Sequence, residues 1–190
     1  AGSSLKFPVE FADTLRQVFL KGEGYFDVAH TGAPFIVHAE RAQIQVLGTS
    51  FNVSAYLDET EWTTTLVEGK IAIETMDKEL SSDSSYILVP GMQATLSHEN
   101  IPLQIKEVNT KEYTSWMKGK LEFNNDDLDL VMKRLSRWYD FEYRFENAEA
   151  KTYHFTAGFN KNDSISNILE ILELTTDVAF KLENNTILIQ

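Results

Sequence analysis

At 190 residues the chain can hold one large domain or two small ones, each with a real core. The net charge of −12 is shared, with nine Lys/Arg against sixteen Asp/Glu in residues 1–118 and eight against thirteen in 119–190, so neither half offers a basic face to nucleic acid or anionic lipid. The lack of cysteine excludes disulfides, Cys-based zinc sites and a Cys nucleophile. No apolar run reaches the ~18–20 residues of a membrane span, and the opening Ala1–Pro8 has neither a signal-peptide pattern, a start Met nor a tag. The chain reads as a soluble fragment of a longer protein.

From Leu15 to Val108 the sequence alternates with period two in short runs: 15–21, 24–29, 34–40, 42–47, 50–57, 63–68, 70–75, 85–89, 93–97 and 103–108. Phe35, Val37 and Ala39 share one face, as do Phe51, Val53 and Ala55, which marks half-buried antiparallel strands. Gly22-Glu23-Gly24, Gly48-Thr49, Glu68-Gly69 and Pro90-Gly91 read as turns, and Pro-Gly fits the centre of a type II turn. Short strands at this spacing predict a mainly β domain over 1–115: an antiparallel β-sandwich, a β-roll or a solenoid.

After Trp116 the period changes. Leu128, Val131, Met132, Leu135 and Trp138 fall at helical spacing, with Asn125 or Asp126 as N-cap. Ile165, Ile168, Leu169 and Leu172 form a second stripe, capped by Asp163 or Ser164. Strand-like runs flank both. Leu128, Val131, Met132, Leu135, Phe141, Tyr143, Phe145 and Asn147 match Ile165, Ile168, Leu169, Leu172, Val178, Phe180, Leu182 and Asn184 at a common offset of 37 residues. Residues 116–190 therefore read as a small α/β domain of duplicated β-α-β units.

No catalytic or metal-binding constellation stands out. His30, His38, His98 and His154 show no ligand spacing. Asp58, Glu59 and Glu61 read as a loop, and Asp126, Asp127 and Asp129 as charge at a helix N-terminus. Gly22-Glu23-Gly24 lacks the helix and Lys-Ser/Thr of a phosphate loop, no GxSxG elbow occurs, and Ser81–Ser85 reads as an exposed hairpin loop. No metal, cofactor or turnover enzyme is expected. Trp138 reads as core, whereas Trp62 is the tryptophan with a plausible exposed position, which leaves a carbohydrate- or surface-binding β-sandwich as the alternative function.

Six segments in order resemble FecR-type anti-sigma regulators: Gly22–Ala29, Pro34–His38, Val46–Val53, Leu66–Ile71, Val89–Ala94 and the junction Trp116–Phe123. Gly24 stands where the family commonly has Ala, and Met92 where it has Gln. The C-terminal part resembles an STN (secretin and TonB short N-terminal) domain.

This resemblance implies the periplasmic, signal-sensing part of an inner-membrane regulator. Its sigma-binding cytoplasmic segment and single transmembrane helix would lie outside these residues. The implied partner is the signalling domain of a TonB-dependent outer-membrane transporter, received on an unassigned surface within 119–190. Open edges of small sheets suit strand addition there, and an acidic surface favours a basic partner. The sigma factor would be met only through the cytoplasmic segment, with no nucleic acid and no direct membrane contact by these residues. The resemblance also implies a possible single self-cleavage at Gly48-Thr49, where a Thr hydroxyl attacks the preceding carbonyl. A plain tight turn, with Gly supplying an unusual φ, accounts for the same two residues.

Overall fold

A computed structural model describes residues 1–76, 85–97 and 102–190. The chain divides into two compact units, Ala1–Thr114 and Ser115–Gln190.

The first unit is built from β1 (Ser4–Lys6), β2 (Arg16–Val28), β3 (Phe35–Ala39), β4 (Ala42–Val46), β5 (Thr49–Ala55), β6 (Glu61–Glu68), β7 (Ile71–Thr75), β8 (Tyr86–Leu88), β9 (Met92–Ser97) and β10 (Gln104–Glu107). They join one large, nearly closed sheet in the order β10-β9-β6-β5-β2-β3-β4-β7-β8, with β1 on β2. Alternation fixes which side chains point inward: Val37, Ile44, Phe51, Val53, Trp62, Leu66, Ile71, Ile73, Leu88 and Leu96 are fully buried.

Two features correct the expectations. Gly22-Glu23-Gly24 is not a turn between strands but a bend inside β2, where Gly22 takes φ +85. The first part of β2 pairs with β1 and β3, and the part from Gly22 onward pairs with β5. The bend carries the second part of β2 back over the first: the Phe26 and Phe35 rings lie 6.1 Å apart, although Phe35 is the strand partner of Arg16. This explains the second departure, that β2 runs parallel to β3. A parallel connection usually needs a dozen or more residues, and fourteen, 21–34, separate the paired segments here: the second part of β2 makes most of the return and the link 29–34 completes it. Pro90-Gly91 does form its turn, with Gly91 at φ +87 and the Met92 N–H donating to the Val89 carbonyl at 3.1 Å.

The second unit holds β11 (Lys120–Asp127), α1 (Leu128–Tyr139), β12 (Glu142–Phe145), β13 (His154–Asn160), α2 (Ile165–Thr175), β14 (Phe180–Glu183) and β15 (Thr186–Ile189), with 3-10 turns at Ser115–Lys118 and Ala148–Thr152. β11 pairs with β13, and a second sheet has the order β12-β15-β14. Leu128, Val131, Met132 and Leu135 of α1 and Ile168, Leu169 and Leu172 of α2 bury against Phe123, Phe155, Phe159, Ile187 and Ile189. The N-cap of α1 is Asp127, not Asn125 or Asp126: its carboxylate accepts from the Leu130 N–H at 2.8 Å. The reason is that β11 runs on through a bulge at Asn125, whose φ of 57 suits Asn and whose N–H donates to Thr156 Oγ1 at 3.0 Å. α2 is capped by Ser164, which accepts from the Asn167 N–H at 3.2 Å.

Candidate functional site

Gly48 and Thr49 lie where the β4–β5 link enters β5, and Arg16, His30, Gly69 and Lys70 pack around residues 47–49. Thr49 is buried; its hydroxyl donates to the Lys70 carbonyl at 3.0 Å and accepts from the Lys70 N–H at 3.4 Å. The Arg16 guanidinium, held by the Ala29 and Ala33 carbonyls at 3.2 and 2.8 Å, also reaches the Leu47 carbonyl at 3.5 Å. Gly48 does not adopt left-handed backbone, so glycine is required there for space: a Cβ would lie 2.7 Å from His30 Cβ and 3.0 Å from His30 Nδ1. Gly69 closes the other side. Its φ is +93, and a Cβ on it would meet the Gly48 carbonyl oxygen at 2.7 Å and Thr49 Oγ1 at 2.8 Å. The turn after β6 and the link before β5 are thus pressed backbone to backbone.

Chemically, this places a hydroxyl next to its own preceding carbonyl, in a packed site with His30 beside the glycine. In the observed arrangement the hydroxyl is committed to Lys70, so attack on Gly48 needs that contact to open. Sequence reading singled out Gly48 and Thr49 as a site; it named His30, Gly69 and Lys70 only as a histidine without ligand spacing and parts of a turn and motif, and gave Arg16 no role. Glu68-Gly69 was legible as a turn, yet nothing in the sequence says which strand that turn touches.

The remaining candidates are dispersed. Trp62 corrects the expectation of an exposed aromatic: it is fully buried, opposite Leu96, and a sugar-stacking face cannot be built on it. His38 stacks on Phe19 at 4.7 Å and contacts Gln17 at 3.3 Å, while His154 Nδ1 contacts the Asn125 carbonyl at 2.9 Å. His98 and residues 81–84 of the serine stretch lie outside the described residues. Among the described residues no three His, Asp or Glu side chains converge as a metal site would require. Asp129 pairs with Lys133 at 2.6 Å and Asp126 approaches Arg134 at 3.7 Å, so these acids serve α1 and its approach.

The second unit presents apolar side chains to solvent on α2 and β14: Ile171 is 45% exposed, Leu174 80% and Leu182 57%. Beside Leu182, Lys181 and Glu183 form an exposed ion pair at 2.6 Å. The hydrogen bond to Glu183 raises the Lys181 pKa, and its counterpart lowers that of Glu183. Within the same unit Tyr139, on the last turn of α1, donates to the Asp163 carbonyl at 2.9 Å. Burial, and then the Asp163 carboxylate, raise the pKa of its phenol.

Residues 1–72 match the family model described as FecR protein, and residues 120–189 match FecR, C-terminal. No curated protein matches the chain. Two crystal structures of a candidate anti-sigma factor from Parabacteroides distasonis ATCC 8503, at 1.65 Å and 2.50 Å, are similar to it over its whole length. Each is 27% identical with a TM-score of 0.88, covering 100% of this chain and 87% or 86% of the other. Carrying both FecR domains in this order, the chain belongs to the FecR family of anti-sigma factors.

Proposed function

We propose that this chain is the periplasmic, signal-receiving part of an inner-membrane anti-sigma regulator. It relays the state of a TonB-dependent outer-membrane transporter by protein–protein contact rather than by turnover of a substrate. The observation that carries this reading is the pair of FecR domains in one chain, together with similarity over the whole of this chain to a candidate anti-sigma factor. The second unit, taken as STN-like, is the receiving part. Its reading as two copies of a β-α-β unit is supported by the 37-residue offset and by α1 and α2 burying matching stripes. The test is a pull-down of the chain with the transporter signalling domains encoded in the same genome. Capture of one, weakened by salt, supports the relay; capture of none, at low and high salt, sinks it.

A second reading, one self-cleavage at Gly48-Thr49, is favoured by the crowding of Gly48 and Thr49 between His30 and Gly69. In that step Thr49 Oγ attacks the Gly48 carbonyl carbon and its proton passes to the departing Thr49 nitrogen. The peptide C–N bond gives way to an ester; water then splits the ester into a Gly48 carboxylate and a fragment beginning at Thr49. Intact-mass analysis after prolonged incubation tests this. A fragment beginning at Thr49 in the parent but not in Thr49→Ala supports the reading, and an intact parent chain removes it.

A further inference from the structure

The register of the last hairpin shows which backbone groups β14 leaves open. Ala179 and Gln190 exchange both backbone hydrogen bonds, at 3.1 and 2.9 Å. In an antiparallel ladder bonded and non-bonded pairs alternate, so Lys181 with Leu188 and Glu183 with Thr186 are also bonded pairs. Phe180 and Leu182 therefore aim their N–H and C=O groups away from β15, out of a sheet in which β14 is the terminal strand. One outward donor is already used: the Phe180 N–H donates to Glu173 Oε1 at 2.6 Å. That bond places the last turn of α2 alongside the open edge. The Leu182 N–H and the Phe180 and Leu182 carbonyls remain on that edge, and no hydrogen bond reaches them among the described residues.

The α2 side of the edge is acidic, and the one cation on β14, Lys181, is already paired with Glu183. α2 contains no Lys or Arg, and Glu170, Glu173 and Asp177 are exposed on or just past its C-terminal half. A helix C-terminus is itself a negative pole, so these acids lack the cation that usually stabilises such an end. Ile171 and Leu174 of α2 and Leu182 of β14 supply exposed apolar surface.

We propose that the open edge of β14, beside the acidic last turn of α2, accepts an extended partner segment with alternating basic and apolar residues as a fourth strand. Backbone bonds to Phe180 and Leu182 give the register, apolar side chains cover Leu182, and basic ones offset Glu173 and the helix end. The inference rests on the second unit being the receiving surface, and it adds the mode of contact and the chemistry of the segment.

The test uses the full 15N-labelled chain and three short synthetic peptides: alternating Lys/Val, alternating Glu/Val, and the Lys/Val peptide N-methylated along one edge. The Lys/Val peptide should slow hydrogen exchange at the Leu182 amide by roughly tenfold, while the other two do not. Leu182→Pro, which has no amide to follow at that position, should abolish binding of the Lys/Val peptide in a calorimetric titration yet keep β14 paired, because Leu182 sits at a non-bonded position where an edge strand tolerates proline. The methylated peptide asks the same question without altering the protein. Unchanged Leu182 exchange with the Lys/Val peptide, or equal binding by its methylated form, overturns the proposal. So does protection of Leu182 by self-association alone, which assigns the edge to a second copy of the chain. Transporter domains that all fail to bind, while the Lys/Val peptide still protects Leu182, would remove the relay and leave the edge standing.

Discussion

Replacing Gly69 by alanine separates backbone strain from crowding at the Gly48–Thr49 junction, because the fold contains its own control. Gly69 and Gly91 have nearly the same φ, +93 and +87, but a Cβ at Gly91 meets nothing within 4 Å, whereas at Gly69 it lies 2.7 Å from the Gly48 carbonyl oxygen. Both substitutions incur about 1–2 kcal/mol for left-handed backbone in a residue with a side chain. Both recover roughly 0.4–1 kcal/mol by restricting the unfolded chain. Gly91→Ala should therefore cost about 1 kcal/mol net. Gly69→Ala should cost about 1–3 kcal/mol beyond that, because the neighbour it meets is backbone and cannot swing aside. Urea unfolding followed through amide signals of β4–β7 gives both values, and residue-resolved signals matter because two units need not unfold together. Equal losses for the two variants would refute the packing described around Thr49.

Further outcomes follow from the same contacts. Trp62→Ala should destabilise the first unit by about 3–5 kcal/mol, read by denaturant unfolding, and a loss below about 1 kcal/mol would mean that the ring is not core. Asp127→Ala should cost about 1 kcal/mol and raise amide exchange in the first turn of α1, while Asn125→Ala should leave that turn capped. Tyr139 should ionise above the ordinary tyrosine range in a spectrophotometric titration. Its raised pKa means that the stability it contributes is present below the unfolded tyrosine value and is lost as pH rises through the folded one. At the acid end Glu183 has the opposite sign: its lowered pKa favours the folded state above the ordinary carboxylate value, and this is lost as pH falls through the folded value, which NMR titration of its side chain would follow.

Much of the strand content was legible because one buried face leaves a period-two imprint, as in Phe35, Val37 and Ala39, all buried. The same rule could have placed Trp62 inside, since it shares parity with Leu66 on β6. Its neighbours Glu61 and Thr63 obscured that phase. Gly22 was misread because a bend within a strand and a turn between strands both call for positive φ. The α1 cap was misplaced because Asn125 and Asp126 are plausible caps locally, and only pairing with β13 carries β11 past them. At the junction, Gly48 and Thr49 announced themselves as a motif. The partners that immobilise them, Arg16, His30 and Gly69, come from three other parts of the chain, and no local pattern encodes that meeting. The free groups of β14 were similarly out of reach, since they depend on the hydrogen-bond phase with β15.

The most direct measurement is a calorimetric titration of the full chain with each transporter signalling domain encoded in the same genome, at low and at high salt. The account predicts saturable binding by at least one domain, weaker at high salt because the chain carries a net charge of −12, and lost in Leu182→Pro while the fold is retained. Absence of heat with every domain at both salt concentrations would contradict it.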